Sequence, residues 1–353
     1  MRSGSASLQQ SSKSSARLKI DFYESADGET IILEFPDGGL GVVDAHPSAQ
    51  NSRPPIMDLV ANRKIHFVCL THPHADHGID LIPILQRHKQ IAEFWQTSPS
   101  VSSFVFHCAT ERPNYPSPVQ RFVNQLADGW AEFLLDLYSS LGQIPVKQLH
   151  SRVQPETFAG ARIWFLGPEE QSANKFVEIY KTRASGSFKA LPSPNLLSAI
   201  LGIEYGGILV ILAADALKRN WPDAIKTHTR NRLPRALVLK VPHHGAANAL
   251  ELKKRSKNYL DLCAKHGAVS VLFAGDSKHP HPRVFQELRK STQLICLSNG
   301  LKGAHGSSNP LQLRIPGARA VQASYICQPQ ITVEVWASGR MAVTRGASCP
   351  VCS

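Results

Sequence analysis

Apolar and polar positions along the chain repeat with a short period almost from the start. From Leu18 the runs "LKIDFYES", "ETIILEF" and "LGVVDAH" are separated by the turn signals "ADG" and "PDGG" and predict a strand meander. "KIHFVCL" (64–70) predicts a further, buried strand, and "GIDLIPILQRHKQI" behind it spaces its apolar residues as a helix does. The polar stretch between them, "THPHADH", therefore falls on a strand-to-helix loop. Residues 97–150 change character: "TSPSVSS" and "ERPNYPSP" read as loop, and "VQRFVNQLADGWAEFLLDLYSSLG" as an amphipathic helix broken by one Gly. This predicts a helical insertion over 97–150, in the manner of a lid. Strands return at "ARIWFLGP", "LLSAILGIEYGG", "ILVILAADA", "RALVLKVPHHG" and "AVSVLFAGD", with helical stretches between the later ones. "QITVEVWASGRMAVTRG" reads as a hairpin turning at Ala337-Ser338-Gly339, and no internal repeat or heptad run is visible.

Composition narrows the class. An apolar fraction of 42% in 353 residues suffices for a large core. A formal charge of +12 with a pI near 9.5 favours a polyanionic partner, nucleic acid or an acidic surface. Seven scattered cysteines do not resemble a secreted disulfide framework and point to a reducing compartment. "MRSGSASLQQSSKSSAR" lacks the apolar core of a signal peptide, and no apolar run approaches the roughly eighteen residues of a membrane span. The expectation is a cytoplasmic protein without membrane insertion. It would have a disordered tail at 1–16, one domain over 17–345 and a flexible tail at 346–353.

The histidines carry the chemistry. Seven of fifteen fall in three stretches, "HPHADH" (72–77), "PHHG" (242–245) and "KHPHP" (278–282), each behind a predicted strand, where α/β architectures gather their sites. Asp215 ends the very apolar "ILVILAADA", where a charge is costly unless paired or bound to a metal. In an extended loop His72 and His74 point the same way and can share one ion, while Asp76 and His77 can reach a second. The two oxygens of Asp215 could bridge such a pair, which would make a water nucleophilic and neutralise charge on an ester or phosphodiester. H-x-H-x-D-H should arise by chance in roughly one chain in ten thousand of this length, so a purely structural reading of the loop is weak.

"THPHADHG" resembles the signature of the metallo-β-lactamase fold. "FLGP", "NLLSAILGIEYGGILVILAADA", "LVLKVPHHGA" and "VLFAGDSKHPHPRVFQEL" are similar in order and spacing to the hydrolase domain of ComEC-type DNA-uptake proteins and their soluble relatives, over most of 18–290. The resemblance implies an α/β fold, a four-layer αββα sandwich, with a dinuclear metal site and, for this branch, nuclease activity. By position it implies His72, His74, Asp76, His77, Asp215 and His279 as metal ligands. It makes His243 and His244 either a ligand or a proton donor and oxyanion stabiliser, so that Asp76, His243 and His244 form the candidate catalytic set. Asp44 matches an aspartate that orients the first ligand loop. Three departures stand out: Ala214 replaces the usual Gly before the bridging Asp, Ala246 replaces the usual Ser after "HHG", and the family's separate histidine between these motifs has only His107 and His150 as candidates.

Between the motifs, 216–240 holds Lys218, Arg219, Lys226, Arg230, Arg232, Arg235 and Lys240 against one acid, Asp223. It either borders the cleft and guides a phosphate backbone or is a solvated face. "KKRSK" (253–257) reads as a solvated helix face, "CPVC" (349–352) as part of the tail, and His46 as local to its turn or an outer support of the site. The expected function is a metal-dependent hydrolase cleaving DNA phosphodiester bonds with a metal-activated hydroxide. Two divalent ions are expected, zinc first, manganese or iron otherwise, and partner proteins of a DNA-uptake or defence system. Two alternatives stay open: a small-molecule ester, lactone or cyclic-phosphate hydrolase, and a catalytically weakened nucleic-acid-binding or sensing module.

Overall fold

The computed structural model describes residues 16–23, 25, 28–47, 54–97, 131–175, 193–250, 258–264, 267–273, 279–297, 311–313, 321–323 and 330–345. Positions 1–15 of the expected N-terminal tail, 98–130 of the expected insertion with His107, "KKRSK" and "CPVC" lie outside the described residues.

Two large sheets carry the chain, beside a two-stranded antiparallel pair of β14 (Leu311–Leu313) and β15 (Val321–Ala323). The first contains β1 (Arg17–Tyr23), β2 (Thr30–Glu34), β3 (Leu40–Val43), β4 (Ile65–Leu70), β5 (Ile91–Gln96) and β6 (Val146–Gln148), in that order. The expected C-terminal hairpin, β16 (Gln330–Trp336) and β17 (Met341–Arg345), adds to the free side of β1. The second runs from β7 (Glu156–Phe158) through β8 (Ala161–Gly167), β9 (Ile200–Tyr205), β10 (Ile208–Leu212), β11 (Val238–Lys240) and β12 (Val269–Phe273) to β13 (Gln293–Leu297). Each sheet is half antiparallel meander and half parallel: β3 to β6 run parallel in the first, β10 to β13 in the second.

Strands buried on both faces explain the near-continuous apolar runs. In β4, Phe67 and Cys69 enter the core between the sheets with Ile163, Leu201, Val210 and Val269, while Val68 and Leu70 pack outward. Helices α1 (Ile56–Val60), α2 (Leu81–Arg87) and α3 (Ala131–Leu141) cover that outer face through Ile56, Leu81, Ile84, Leu134 and Leu137. On the other side α4 (Trp221–Arg230) and α5 (Pro282–Ser291) bury Trp221, Ala224, Val284 and Leu288 against Leu209, Ile211, Leu239 and Leu272. The result is the expected four-layer αββα sandwich. No helix among the described residues is long and apolar enough to cross a membrane.

The sequence reading extends helix from Gly78 to Ile91, whereas α2 stops at Arg87, His88 is extended and β5 begins at Ile91. Pairing β5 with β4 sends Phe94 into the outer core and Trp95 into the central one, a burial the helix would forgo. Trp95 stacks on Phe67 with ring centres 3.8 Å apart. Short strands β6, β7 and β13 carry too few alternating positions to register as elements.

Candidate metal centre

The C-terminal ends of parallel strands from both sheets meet at one edge of the sandwich. After β3 stands Asp44, after β4 Thr71 to His77, after β10 Asp215 and after β11 His243 and His244. Several of these hold left-handed backbone: φ is 53° at Asp44, 43° at Ala214, 48° at His243 and 50° at His244. Such conformations cost non-glycine residues about 1–3 kcal/mol each and persist only where the surroundings enforce them. Ala214 thus occupies a turn that favours glycine, the residue usual at this place in the motif.

Asp44 is fully buried and organises the first loop. Its Oδ1 accepts from the Thr71 N–H at 2.8 Å, and its Oδ2 from the Thr71 hydroxyl at 2.7 Å and from His77 Nδ1 at 2.7 Å. With its proton held on Nδ1, the neutral ring of His77 presents the Nε2 lone pair inward. His72 Nδ1 contacts the Thr71 hydroxyl at 3.2 Å, and its Nε2 lies 3.0 Å from His74 Nδ1, a spacing at which two imidazoles can face one ion.

Asp215, 3% exposed, is the centre of the arrangement. Its Oδ1 lies 3.6 Å from His77 Nε2 and 3.9 Å from His244 Nε2; its Oδ2 lies 3.9 Å from His72 Nε2 and 3.7 Å from His243 Nε2. The consecutive left-handed residues His243 and His244 therefore send their rings to opposite oxygens of one carboxylate. His244 Nδ1 sits 3.3 Å from the Phe273 carbonyl, which it can only approach as a donor, again leaving Nε2 as the inward lone pair. Asp76 lies at the rim, its Oδ2 3.8 Å from His77 Nε2 and its side chain 37% exposed. His279 is placed beside His243, ring centres 5.7 Å apart, rather than against Asp215. His150 follows β6 at the same edge of the first sheet, where its Nδ1 accepts from the Arg152 N–H at 3.2 Å.

Two further side chains join the site, and neither was singled out from the sequence. Glu29, 1% exposed, places a carboxylate oxygen with His77, Asp215 and His244 in a set whose ligand atoms all lie within 4.8 Å of one another. Asn195 donates from Nδ2 toward Asp215 Oδ2 at 3.4 Å and His243 Nε2 at 3.2 Å, capping the other side. Glu29 follows a turn-type "ADG" and Asn195 lies in "LPSPN", contexts that read simply as loop. Gly28 lets the hairpin come this close, since a Cβ there would fall 1.8 Å from the Asp76 carbonyl oxygen.

A metal fits the Oδ1 side. His77 Nε2, His244 Nε2 and Asp215 Oδ1 are buried without hydrogen-bond partners, a costly state that a cation would relieve. Electrostatics agree. Burial lowers the pKa of His72 and His244 well below the usual imidazole value and takes His74 and His243 to about 4, so these rings are neutral and able to ligate. Burial would also lower His77, but Asp44, Asp215 and Asp76 outweigh it and lift it to about 10, so without an ion its Nε2 carries a second proton that a cation would displace. Burial raises Asp215 to about 7, with His77 opposing.

No family model matches the chain, and no curated protein is similar to it. Solved structures are. Igni18, a metallo hydrolase from the hyperthermophilic archaeon Ignicoccus hospitalis, aligns over 80% of this chain and 96% of its own at 14% identity and a TM-score of 0.42. A diphosphatase of the PhnP family aligns over 79% and 95% at 14% identity and a TM-score of 0.37. A variant of the CmlA β-hydroxylase aligns over 80% of this chain but only 52% of its own, at 12% identity and a TM-score of 0.43. Scores this low leave the fold to rest on sheet order and motif position, and the chemistry on the site.

The basic run divides. Lys218 and Arg219 are exposed three and four residues after Asp215, Lys226 and Arg230 lie on the solvent side of α4, and Lys240 is fully buried. Arg230 is also tied down, donating to the Ser151 carbonyl at 2.8 Å.

Proposed function

We propose that the chain is a metal-dependent hydrolase that cleaves phosphodiester bonds in DNA. The observation that carries the hydrolase reading is the division of four imidazoles between the two oxygens of Asp215. A carboxylate ringed in this way suits a pair of divalent cations, and such cations supply an activated water and neutralise charge on a phosphate. His72, His74 and His243 would hold the first ion with Asp215 Oδ2. His77, His244 and Asp76 would hold the second with Asp215 Oδ1. In this reading His243 takes the place of the separate histidine that the motif order lacks. Imidazole and carboxylate donors accept zinc, manganese or iron.

The chain's own residues do the positioning. Asp44 and the Phe273 carbonyl fix the protons of His77 and His244 on their outer nitrogens, so the inner ones keep their lone pairs. His279, beside His243 and off the Asp215 carboxylate, suits transfer of a proton to the leaving oxygen. DNA as substrate is supported by the charge of +12, by Lys218 and Arg219 following Asp215, and by the ComEC-like order of motifs.

Metal-reconstituted protein is to be incubated with single-stranded, linear and plasmid DNA beside an Asp76→Ala/His77→Ala control. The expected result is metal-dependent cleavage that the control lacks and that weakens with salt. Equal behaviour of the two proteins on every DNA refutes the nuclease reading. Cleavage of a lactone or cyclic phosphate without action on DNA would transfer the site to a small-molecule substrate.

A further inference from the structure

Directly behind the ligand set lies a buried ion pair that the proposed chemistry does not use. The ammonium of Lys240, at the end of β11, is fully buried and pairs with the Glu29 carboxylate. The same ammonium donates to the Ala214 carbonyl at 2.7 Å, which also accepts from the His243 N–H at 2.9 Å. Lys240 thus joins the β1–β2 hairpin of the first sheet to the turn of the second that presents Asp215. It touches the carbonyl of the very residue whose backbone is left-handed.

We infer that Glu29 and Lys240 are a positioning pair for the metal centre: Lys240 clamps the Ala214–Asp215 turn, and its charge holds the Glu29 carboxylate back from the ions. This rests on the metal-binding reading of the site. The pair adds no net charge beside the centre, so the pair as a whole leaves the charge of the ligand set unchanged. Removing one member upsets that balance in a direction fixed by its sign. Without Lys240, an unpaired carboxylate faces His77, Asp215 and His244 and becomes a ligand. Without Glu29, the ammonium, which burial already holds well below the usual lysine range, either repels the cations or sheds its proton and weakens its grip on the Ala214 carbonyl; both lower affinity.

The test uses the full chain as wild type, Glu29→Gln, Lys240→Gln and the double variant. Affinity for Zn²⁺ is read by chelator competition, and the metal-induced shift of the melting temperature is read alongside. Gln at 240 keeps a donor for the Ala214 carbonyl, and two facing amides can hydrogen-bond, so the double variant is built to fold. Expected are a tenfold or greater loss of affinity in Glu29→Gln, a tenfold or greater gain in Lys240→Gln, and a double variant within about threefold of wild type. Equal losses in Glu29→Gln and the double variant would make Glu29 a direct ligand and overturn the proposal. Melting temperatures lowered alike with and without metal, at unchanged affinity, would make the pair merely structural and overturn it too, as would failure of all three variants to fold with metal present. A wild type that binds no divalent ion overturns the metal reading itself; the variant outcomes overturn this inference alone.

Discussion

Replacing Asp44 by Asn should disable the centre without touching a ligand. The carboxylate accepts three buried hydrogen bonds at 2.7–2.8 Å, and Asn retains one acceptor oxygen for them. Its amide group would face His77 Nδ1, which must then give up its proton and become the acceptor. The proton moves to Nε2, where the inward lone pair had been. In the ion-free protein the cost can be worked from His77. Its pKa of about 10 against 6.5 for a free imidazole corresponds to about 5 kcal/mol, the net of a burial that opposes the charge and of Asp44, Asp215 and Asp76, which favour it. Asp44 is the first of the three and the one in hydrogen-bond contact, so about 2–3 kcal/mol falls to it, in line with a charge-assisted hydrogen bond. The sign follows from linkage. A base whose folded pKa is raised stabilises fully below its unfolded pKa, and that contribution fades as pH rises through the folded one. The stability gap between wild type and Asp44→Asn, measured by urea denaturation in chelator, should therefore be about 2–3 kcal/mol near pH 6 and shrink toward pH 10. Metal affinity should fall by about 10–100-fold. A gap below about 0.5 kcal/mol at pH 6 with wild-type metal affinity would refute this account of Asp44.

Two other outcomes follow from the same geometry. Ala214→Gly removes a Cβ from a backbone at φ 43°, and after the entropy glycine loses on folding it should raise stability by up to about 1 kcal/mol, visible as a higher melting temperature; a clear loss would mean the Cβ makes contacts that outweigh the strain. Loading divalent metal at pH 7 should release protons, chiefly from His77, which is lifted to about 10, with a share from Asp215, which burial raises; release near zero, read with a pH indicator in weak buffer, would mean these two groups do not ligate.

How far the sequence could be read depended on whether a residue's neighbours in the chain are also its neighbours in the site. The loop from His72 to His77 is contiguous, so its histidines declare themselves, and Asp215 is conspicuous because a charge ends a strand of pure hydrocarbon. Glu29 and Lys240 are the opposite case. One looks like part of a turn and the other like one more cation in a basic run, and only the packing of the two sheets makes them a pair. The basic run itself could not be divided from sequence, because which of its members is solvated depends on α4 docking through Trp221 and Ala224. His243 and His244 were legible as site residues, but that they face different oxygens of Asp215 follows from backbone angles that no sequence pattern encodes.

The first sheet places β1 between β2 and β16, with Asp21 opposite Ile32 on one side and Thr332 on the other. Asp21 also accepts from the Thr332 hydroxyl and, at 3.0 Å, from the Gln330 side chain, contacts that span more than 300 residues. A growing chain emerging from the ribosome therefore exposes one edge of β1 until Gln330–Trp336 has been made. The hairpin that carries Glu29 beside His77, Asp215 and His244 is anchored on that strand. Completion of the centre is thus a late event of biosynthesis, and a chain stalled before β16 would present its histidines to the cell's metal pool on an unfinished, aggregation-prone sheet.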